Sequence, residues 1–189
     1  MKTTNIMIVG VGGQGSLLAS KLLGNLLCDE GYDVKVSEVH GMSQRGGSVV
    51  TYVRFGEKVY SPIIDKGEAD FIVAFEKIEA ARYAPYLKKD GKIIVNTQEI
   101  EPMPVITGAA SYPTETLVGL RQLGLSVDDI DALTPATEAG SPKAVNIVLM
   151  GRLSKYMDIS EEKWIDAIKK SVAPKFVELN LKAFDLGRK

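Results

Sequence analysis

A glycine-rich turn between two apolar segments constrains this 189-residue chain more than any other feature of its sequence. Residues 5–11 form a short, β-branched apolar run that is typical of a strand buried on both faces. Residues 10–15 read Gly-Val-Gly-Gly-Gln-Gly, and residues 16–29 then place leucines on one face of a helix. Residues 34–38 predict a second strand. A strand–helix–strand unit with a right-handed crossover implies a parallel sheet, so this opening favours an α/β fold.

The glycine turn matches the pattern G-x-G-x-x-G, which occurs where backbone amides approach a phosphate closely. The amino terminus of the following helix adds a partial positive charge. Glu38, at the end of the second predicted strand, is placed to accept a ribose hydroxyl. The alternative is that the glycines only permit a tight turn and close helix–strand packing. The residues of the turn that are candidates for cofactor binding are Gly10, Gly12, Gly13, Gln14, Gly15 and Ser16.

A second loop, residues 40–47, holds the single histidine of the chain, His40, and an arginine, Arg45, among glycines. It follows the carboxyl end of a predicted strand, where open α/β sheets bind their ligands. The guanidinium of Arg45 can make bidentate bonds to a carboxylate or phosphate, and His40 can donate, accept or shuttle a proton near neutral pH. Both are candidate catalytic residues, and Arg45 is also a candidate for cofactor binding. In the alternative, Arg45 pairs with Glu38 or Glu76 and His40 satisfies a carbonyl.

Two strand-like runs, residues 48–55 and 58–64, follow the second loop. Gly56-Glu57 joins them, and a Gly-X pair between extended runs is typical of a type II′ hairpin turn. We therefore expect an antiparallel hairpin excursion over about residues 48–64. We expect it to be inserted between the second and third strands of the sheet.

The second half of the chain adds further strands and helices. It includes a short predicted strand at residues 103–107 and a helix whose start is marked by Ser141 before Pro142. Trp164 keeps helical spacing with two isoleucines, which is typical of a core position. The predicted fold class is α/β, a Rossmann-like three-layer sandwich with a mostly parallel sheet. No linker or repeat divides residues 1–189, so we expect a single domain.

The composition excludes several classes of function. Lys and Arg number 23 and Asp and Glu 24, and the resulting net charge of -1 gives no general attraction to nucleic acid or to an anionic membrane. No apolar run approaches the roughly 20 residues of a membrane span. The single cysteine, Cys28, cannot hold an iron–sulfur cluster by itself, and one histidine cannot form a multi-histidine zinc site. We expect a cytoplasmic protein without a metal site of its own.

Six short motifs are spread over nearly the whole chain. They are the glycine turn at 10–15, His-Gly-Met-Ser-Gln-Arg-Gly-Gly at 40–47, Val-Arg-Phe-Gly at 53–56, Ser-Pro at 61–62, Gly-Ser-Pro-Lys-Ala-Val-Asn at 140–146 and Asn-Leu-Lys-Ala-Phe at 180–184. Together and in this order they resemble the gamma-type domain of the 2-oxoacid:ferredoxin oxidoreductases. The Met-Ser-Gln-Arg-Gly-Gly form is similar to the beta subunit of the indolepyruvate branch of that family rather than to the pyruvate branch.

The resemblance implies oxidative decarboxylation of a 2-oxoacid, such as indolepyruvate or another aryl pyruvate, to an acyl-CoA, with electrons passed to ferredoxin. In that family thiamine diphosphate forms the carbanion and iron–sulfur clusters carry the electrons. Here the single Asp-Gly pair, Asp90-Gly91, follows Lys89, so the Gly-Asp-Gly motif for diphosphate and magnesium is absent. The resemblance therefore implies that thiamine diphosphate, magnesium and the clusters lie on a larger partner subunit, and that this chain shapes the active-site cleft.

By the same resemblance, coenzyme A lies at the interface of the two subunits. The glycine turn, Arg45 and Asn146 are candidate contacts for a CoA phosphate or a substrate carboxylate, although Asn146 could instead only cap or cross-link backbone groups. Two other classes of function stay open. One is a stand-alone NAD-binding Rossmann dehydrogenase that uses the glycine turn and Glu38, and the other is a non-enzymatic nucleotide-binding module.

Overall fold

The computed structural model describes residues 3–38 and 47–189 of the chain. Six strands in these ranges form one sheet: β1 (Thr4–Val11), β2 (Asp33–Glu38), β3 (Ser48–Gly56), β4 (Ala69–Ala74), β5 (Leu87–Asn96) and β6 (Ser126–Ile130). Across the sheet they lie in the order β2-β3-β1-β4-β5-β6. Of these six strands, β3 runs antiparallel to both of its neighbours and the others share one direction. The expectation of a mostly parallel sheet is confirmed.

Helices cover both faces of the sheet. In the described residues they are α1 (Ser16–Asp29), α2 (Lys77–Tyr83), α3 (Met103–Ile106), α4 (Thr116–Gln122), α5 (Leu133–Ala139), α6 (Val145–Ser154), α7 (Glu161–Ser171) and α8 (Val177–Arg188). Residues of α1, α5, α6, α7 and α8 join the core on one face, and residues of α2 and α4 join the core on the other. The architecture is therefore the predicted three-layer α/β sandwich. No helix within these two ranges combines the length and apolar character needed to cross a bilayer.

The alternation of side chains along β1 supplies both cores. Ile6 and Ile8 pack in the core on the α1 side, whereas Met7 and Val9 pack in the core on the α2 side. All four side chains are fully buried. A strand buried on both faces reads as a continuous apolar run, which is why the first strand could be predicted from the sequence.

The carboxyl-terminal helices hold α6 firmly in place. Trp164 of α7 is fully buried and stacks on Phe184 of α8, with ring centroids 5.7 Å apart, so its predicted core position is confirmed. Gly187 of α8 packs so closely on α6 that a Cβ atom there would lie 2.1 Å from the carbonyl oxygen of Val148. These contacts fix the position of α6, which carries the candidate residue Asn146.

The predicted strand–helix–strand unit is present, but its two strands are not neighbours. β1 and β2 run in the same direction, and β3 lies between them. Val53 of β3 is paired with Ile6 of β1 on one side and with Val36 of β2 on the other. The connection from β1 through α1 to β2 therefore passes over one position of the sheet. The apolar, β-branched β3 is better suited to an interior position of the sheet than the polar β2, which forms its edge.

The second arm of the predicted hairpin is not a strand. The first arm is β3, but residues 58–64 have no ladder partner and follow an irregular path. Arg54 explains this path: its Nη1 donates to the carbonyl oxygens of Ser61, at 3.0 Å, and Ile63, at 2.6 Å, and its Nε donates to the side chain of Asn5. Pro62 cannot donate to a ladder. The guanidinium thus satisfies carbonyls that a neighbouring strand would otherwise satisfy.

Two later expectations have different outcomes. Residues 103–107 were expected to form a strand, but Met103–Ile106 is the short helix α3. Pro104 falls in its first turn, where the missing N–H has no helical partner in any case. The Ser141-Pro142 start signal is confirmed, because Ser141 Oγ accepts the N–H of Lys143 at the head of the segment that leads into α6.

An ion pair joins the last strand of the sheet to α6. Arg152 donates twice to Asp128 of β6, with both donor–acceptor distances 2.8 Å, and the hydroxyl of Tyr156 donates to the same carboxylate at 2.6 Å. Burial acts to raise the pKa of Asp128, but the bonds from Arg152 and Tyr156 outweigh burial and hold that pKa below its usual value. The charged carboxylate is therefore favoured in the folded protein.

We expect Asp128→Asn to lower the free energy of unfolding at neutral pH by roughly 1–3 kcal/mol, because it removes a charge-assisted bidentate contact at a partly buried site. Since the pKa is lowered on folding, this contribution is full above the ordinary carboxyl value of about 3.9 and is lost as the pH falls through the lowered value. Urea unfolding at a series of pH values measures the difference between wild type and variant.

The matched control is Asp129→Asn, which removes the more exposed pair of Asp129 with Arg121. That change should cost less than about 1 kcal/mol. Equal losses in the two variants, or a difference for Asp128→Asn that stays constant into strong acid, would contradict the assignment.

Candidate functional site

The glycine turn connects the carboxyl end of β1 to α1 and is tied to the sheet by backbone bonds. The N–H of Gly12 donates to the carbonyl oxygen of Gly47 at 2.9 Å, and the N–H of Gln14 donates to that of Val11 at 3.3 Å. The turn therefore lies against the start of β3, at the carboxyl edge of the sheet. Open α/β sheets bind ligands at this edge.

Three amides of the turn are available to a ligand. Within the described residues, the backbone N–H groups of Gly13, Gly15 and Ser16 have no protein acceptor. Gly15 is the N-cap of the 14-residue helix α1, and no side chain caps that helix end. Unpaired N–H groups at the positive end of a helix dipole favour an anion.

A groove of about 600 Å³ runs between the glycine turn and the start of α6. Its lining combines loop amides, one ammonium group, three side-chain amides and apolar walls. The lining residues are Gly13, Gln14, Gly15, Leu18, Gln98, Leu133, Pro142, Lys143, Val145 and Asn146. A smaller cavity of about 300 Å³ lies against the turn and β3, lined by Gly12, Gly13, Gly15, Ser16, Leu17, Val49 and Thr51. All the candidate turn residues except Gly10 thus border at least one of two adjoining cavities.

Asn146 lies in the groove wall, but the protein itself uses both ends of its side chain. Its Nδ2 donates to the carbonyl oxygen of Gly15 at 3.1 Å, and its Oδ1 accepts the N–H of Ile147 at 2.8 Å. The side chain is buried. This geometry favours the alternative that Asn146 cross-links backbone groups, holding the glycine turn against α6.

The side chain of Gln14 folds into the protein instead of projecting from the turn. Its Oε1 accepts the N–H of Val11 at 2.7 Å, and its Nε2 donates to the carbonyl oxygen of Phe75, at the end of β4, at 3.1 Å. Gly10 leaves the space for this arrangement, because a Cβ atom there would lie 2.8 Å from Gln14 Oε1. Gln14 therefore shapes the turn, and its contribution to binding is indirect.

Sequence reasoning missed Asn96, the last residue of β5. This fully buried side chain donates from Nδ2 to the carbonyl oxygen of Phe75 at 3.2 Å and accepts the N–H of Ala132 on Oδ1 at 3.0 Å. It joins the carboxyl ends of β4 and β5 to the start of α5. Its place directly after the apolar run Ile93-Ile94-Val95 was the available signal, because the residues that end a buried strand lie at the edge where α/β sheets bind ligands.

Glu38 is held by α1. The hydroxyl of Ser20 donates to Glu38 Oε1. In a dinucleotide-binding fold the corresponding strand is the direct neighbour of β1, but here β3 intervenes and adds about 4.8 Å of separation. The structure does not bring Glu38 to the position from which an acidic residue normally contacts a ribose.

Glu76 is a buried capping residue at the end of β4. One carboxylate oxygen accepts the N–H of Glu79 at 3.0 Å, and the other accepts the N–H of Ile100 at 3.3 Å and the hydroxyl of Tyr112. Burial, together with the bond to Glu76, raises the pKa of Tyr112 far above its usual value. The phenol therefore remains a neutral donor, and the carboxylate has three partners within the protein.

His40 and Arg45, the two candidate catalytic residues, lie outside the described residues. The residues that flank this segment, Glu38 and Gly47, both lie at the carboxyl edge of the sheet. No group of three or more His, Cys, Asp or Glu side chains in ranges 3–38 and 47–189 is arranged to hold a metal ion.

The fold and the glycine turn define an α/β protein with a groove, lined by unpaired backbone amides, at the carboxyl edge of a mostly parallel sheet. A family model for pyruvate ferredoxin/flavodoxin oxidoreductase matches residues 5–189. The chain is 46% identical over 194 residues to the indolepyruvate oxidoreductase subunit IorB of Thermococcus kodakarensis, with 100% of this chain and 96% of that protein covered. This chain belongs to the pyruvate ferredoxin/flavodoxin oxidoreductase family.

Solved structures share the fold. The gamma subunit of a keto/oxoacid ferredoxin oxidoreductase from Geobacter sulfurreducens aligns with a TM-score of 0.72 at 23% identity, covering 97% of this chain and 95% of that chain. The 2-oxoglutarate:ferredoxin oxidoreductase of Magnetococcus marinus, solved with 2-oxoglutarate, coenzyme A and succinyl-CoA bound, aligns with a TM-score of 0.75 at 21% identity. All of this chain is covered in that second alignment, which spans 31% of the larger chain. The fold thus occurs both as a separate chain and within a longer one.

We expect Gly15→Ala to destabilise the protein more than Gly13→Ala. Both glycines have positive φ, 87° and 100°, so alanine costs about 1–2 kcal/mol of backbone strain at either position. A Cβ atom at Gly15 would also lie 2.8 Å from Asn146 Nδ2, whereas one at Gly13 meets nothing within 4 Å. Overpacking adds roughly 1–3 kcal/mol at Gly15. Chemical denaturation of the two variants measures the difference.

Combining Gly15→Ala with Asn146→Ala separates the cost of backbone strain at residue 15 from the cost of its contact with the Asn146 amide. In the Asn146→Ala background, Gly15→Ala should cost only about the backbone strain of Gly13→Ala, because the colliding amide is gone. Additive costs in the double variant would show that the contact between these two residues does not limit the turn.

Proposed function

We propose that this chain is the smaller subunit of a thiamine-dependent aryl 2-oxoacid:ferredoxin oxidoreductase, with indolepyruvate as the first substrate to test. The observation that carries the proposal is the 46% identity, over the whole chain, to a subunit named for indolepyruvate oxidoreductase. The groove supports the proposal, because a subunit that forms part of a cleft for anionic reactants needs unpaired donors at an accessible edge of its sheet.

The groove has the size and chemistry for part of coenzyme A or for a 2-oxoacid. Its volume of about 600 Å³ falls in the range of small-molecule sites. The N–H groups of Gly13, Gly15 and Ser16 and the ammonium of Lys143 suit phosphate or carboxylate oxygens, and apolar walls suit the uncharged part of either ligand. In this proposal these groups bind and orient the ligand at the subunit interface. His40 and Arg45 remain candidates on their chemistry alone.

The larger subunit, in this proposal, holds thiamine diphosphate, magnesium and iron–sulfur clusters and passes electrons to ferredoxin in the cytoplasm. Thiamine diphosphate supplies the carbanion chemistry of the decarboxylation. The present chain has one cysteine and no Gly-Asp-Gly motif, so its residues do not fit either the clusters or the diphosphate. Its own contribution is to bind, orient and partly enclose the reactants.

The alternative of an NAD-dependent dehydrogenase is less compatible with the geometry. β3 separates Glu38 from β1, and Ser20 already bonds the Glu38 carboxylate. The combination of a glycine loop and an adjacent ribose-binding acid is therefore not formed. A role as a nucleotide-binding module without catalysis would not explain why the whole chain is similar to an oxidoreductase subunit.

Reconstitution tests the proposed function. The purified chain should be colourless and inactive, and adding the cysteine-rich, thiamine-binding subunit should give 2-oxoacid-dependent reduction of a viologen dye. Activity that requires both chains supports the subunit role, whereas a larger subunit that works equally well alone contradicts it. Equilibrium binding of NAD to the isolated chain at about micromolar Kd would favour the dehydrogenase instead.

A further inference from the structure

Gln98 lines the groove and is joined to the amide side chains beneath it. It lies two residues beyond the end of β5 and is half-buried. Its Oε1 accepts from Asn96 Nδ2 at 3.3 Å and from Gln14 Nε2 at 3.5 Å. Three side-chain amides thus form one connected cluster, which we term the amide cluster: Gln14, Asn96 and Gln98.

Fixed backbone groups determine which way each amide in the cluster points. The carbonyl oxygen of Phe75 can only accept, so the ends of Gln14 and Asn96 that face it must be their NH2 groups. The N–H groups of Val11 and Ala132 can only donate, so the other ends of the same two side chains must be oxygens. Neither amide can be reversed without losing two hydrogen bonds.

The orientation of Gln98 follows from these two neighbours. Because Asn96 and Gln14 both present NH2 groups, Gln98 must present Oε1 to them. Its Nε2 group is then left without an acceptor among residues 3–38 and 47–189. Gln98, which lines the groove, therefore carries an unused donor whose orientation is fixed by the bonds to Asn96 and Gln14.

We propose that Gln98 is a ligand-binding residue whose Nε2 donates to an oxyanion of the ligand, a carboxylate or phosphate oxygen, in the groove. The inference rests on the proposed function for the ligands to be tested. Because the Nε2 group of Gln98 is held in one orientation, it favours a ligand group that accepts a hydrogen bond. A ligand N–H placed there would leave two donors facing each other. Through Gln14, the same amide cluster also links the bound oxyanion to the shape of the glycine turn.

Gln98→Glu tests the assignment with little change in shape. One carboxylate oxygen can still accept from Asn96 and Gln14, while the other replaces the donor with a negative charge. In the complex with the larger subunit, we expect KM or Kd for at least one oxyanion ligand to rise about tenfold or more. The control is Gln122→Glu, which makes the same chemical change on the exposed end of α4.

The measurements are KM and kcat for coenzyme A and for the 2-oxoacid, and equilibrium binding of each ligand to the complex. A rise confined to coenzyme A assigns the oxyanion to its phosphates, and one confined to the 2-oxoacid assigns it to the substrate carboxylate. Unchanged constants for both ligands in a folded Gln98→Glu variant overturn the proposal. If that variant does not fold, the same criterion applies to Gln98→Met, which removes the amide donor and acceptor together without adding charge.

Failure of the proposed function gives a different result. In that case the wild-type complex shows no turnover with 2-oxoacid and coenzyme A, and the binding constants alone decide the role of Gln98. Wild-type binding that weakens in Gln98→Glu supports it, and the absence of any wild-type binding overturns it.

Discussion

The carbonyl oxygen of Phe75 is the point on which the candidate site depends. It accepts from Gln14 at 3.1 Å and from Asn96 at 3.2 Å, and it therefore joins the glycine turn to the ends of β4 and β5. A buried carbonyl with two amide donors is fully satisfied, and losing either donor leaves one of its two lone pairs without a partner. The turn keeps its shape because three elements that are distant in sequence meet at this atom.

The insertion of β3 has equally wide effects. It places an antiparallel strand between β1 and β2, so that the amino end of β3 lies at the same edge as the carboxyl ends of its neighbours. Gly47, just before β3, consequently accepts the N–H of Gly12 in the turn. The same insertion moves Glu38 away from β1, which separates this fold from the arrangement that dinucleotide-binding domains use.

The parts of the fold that depend on local pattern were predictable from the sequence. The apolar run of β1, the glycine turn and the helix start at Ser141 each carry their signal in adjacent residues. Residues 58–64 were not predictable, because their path is set by Arg54, a residue of another segment. The short helix at Met103 was missed because prolines, which favour extended chain, are equally suited to a first helical turn.

The candidate site likewise has one part that could be predicted from the sequence and one part that could not. The glycines of residues 10–15 predict a turn with exposed backbone amides, so this part of the groove could be located from the sequence. The roles of Gln14, Asn96 and Gln98 could not, because an amide side chain has no periodic pattern, and its orientation depends on donors and acceptors that only the folded chain brings together. Asn146 shows the same limit, since its bond to Gly15 spans 131 positions of sequence.

The irregular segment at residues 57–68 has a consequence for how the molecule opens. It buries Val59 and Ile64, yet it lacks a ladder and is held by isolated bonds. Arg54, near the amino end of β1, donates to Ser61 and Ile63, and the N–H groups of Val59 and Gly67 donate to Asp33 and Pro85. We expect such a segment to open as a small cooperative unit, with amide hydrogens that exchange with solvent before those of the central strands. The groove lies at the opposite end of β1, so this partial unfolding leaves the ligand edge intact. The segment expected to open first and the candidate site therefore lie at opposite ends of the same strand.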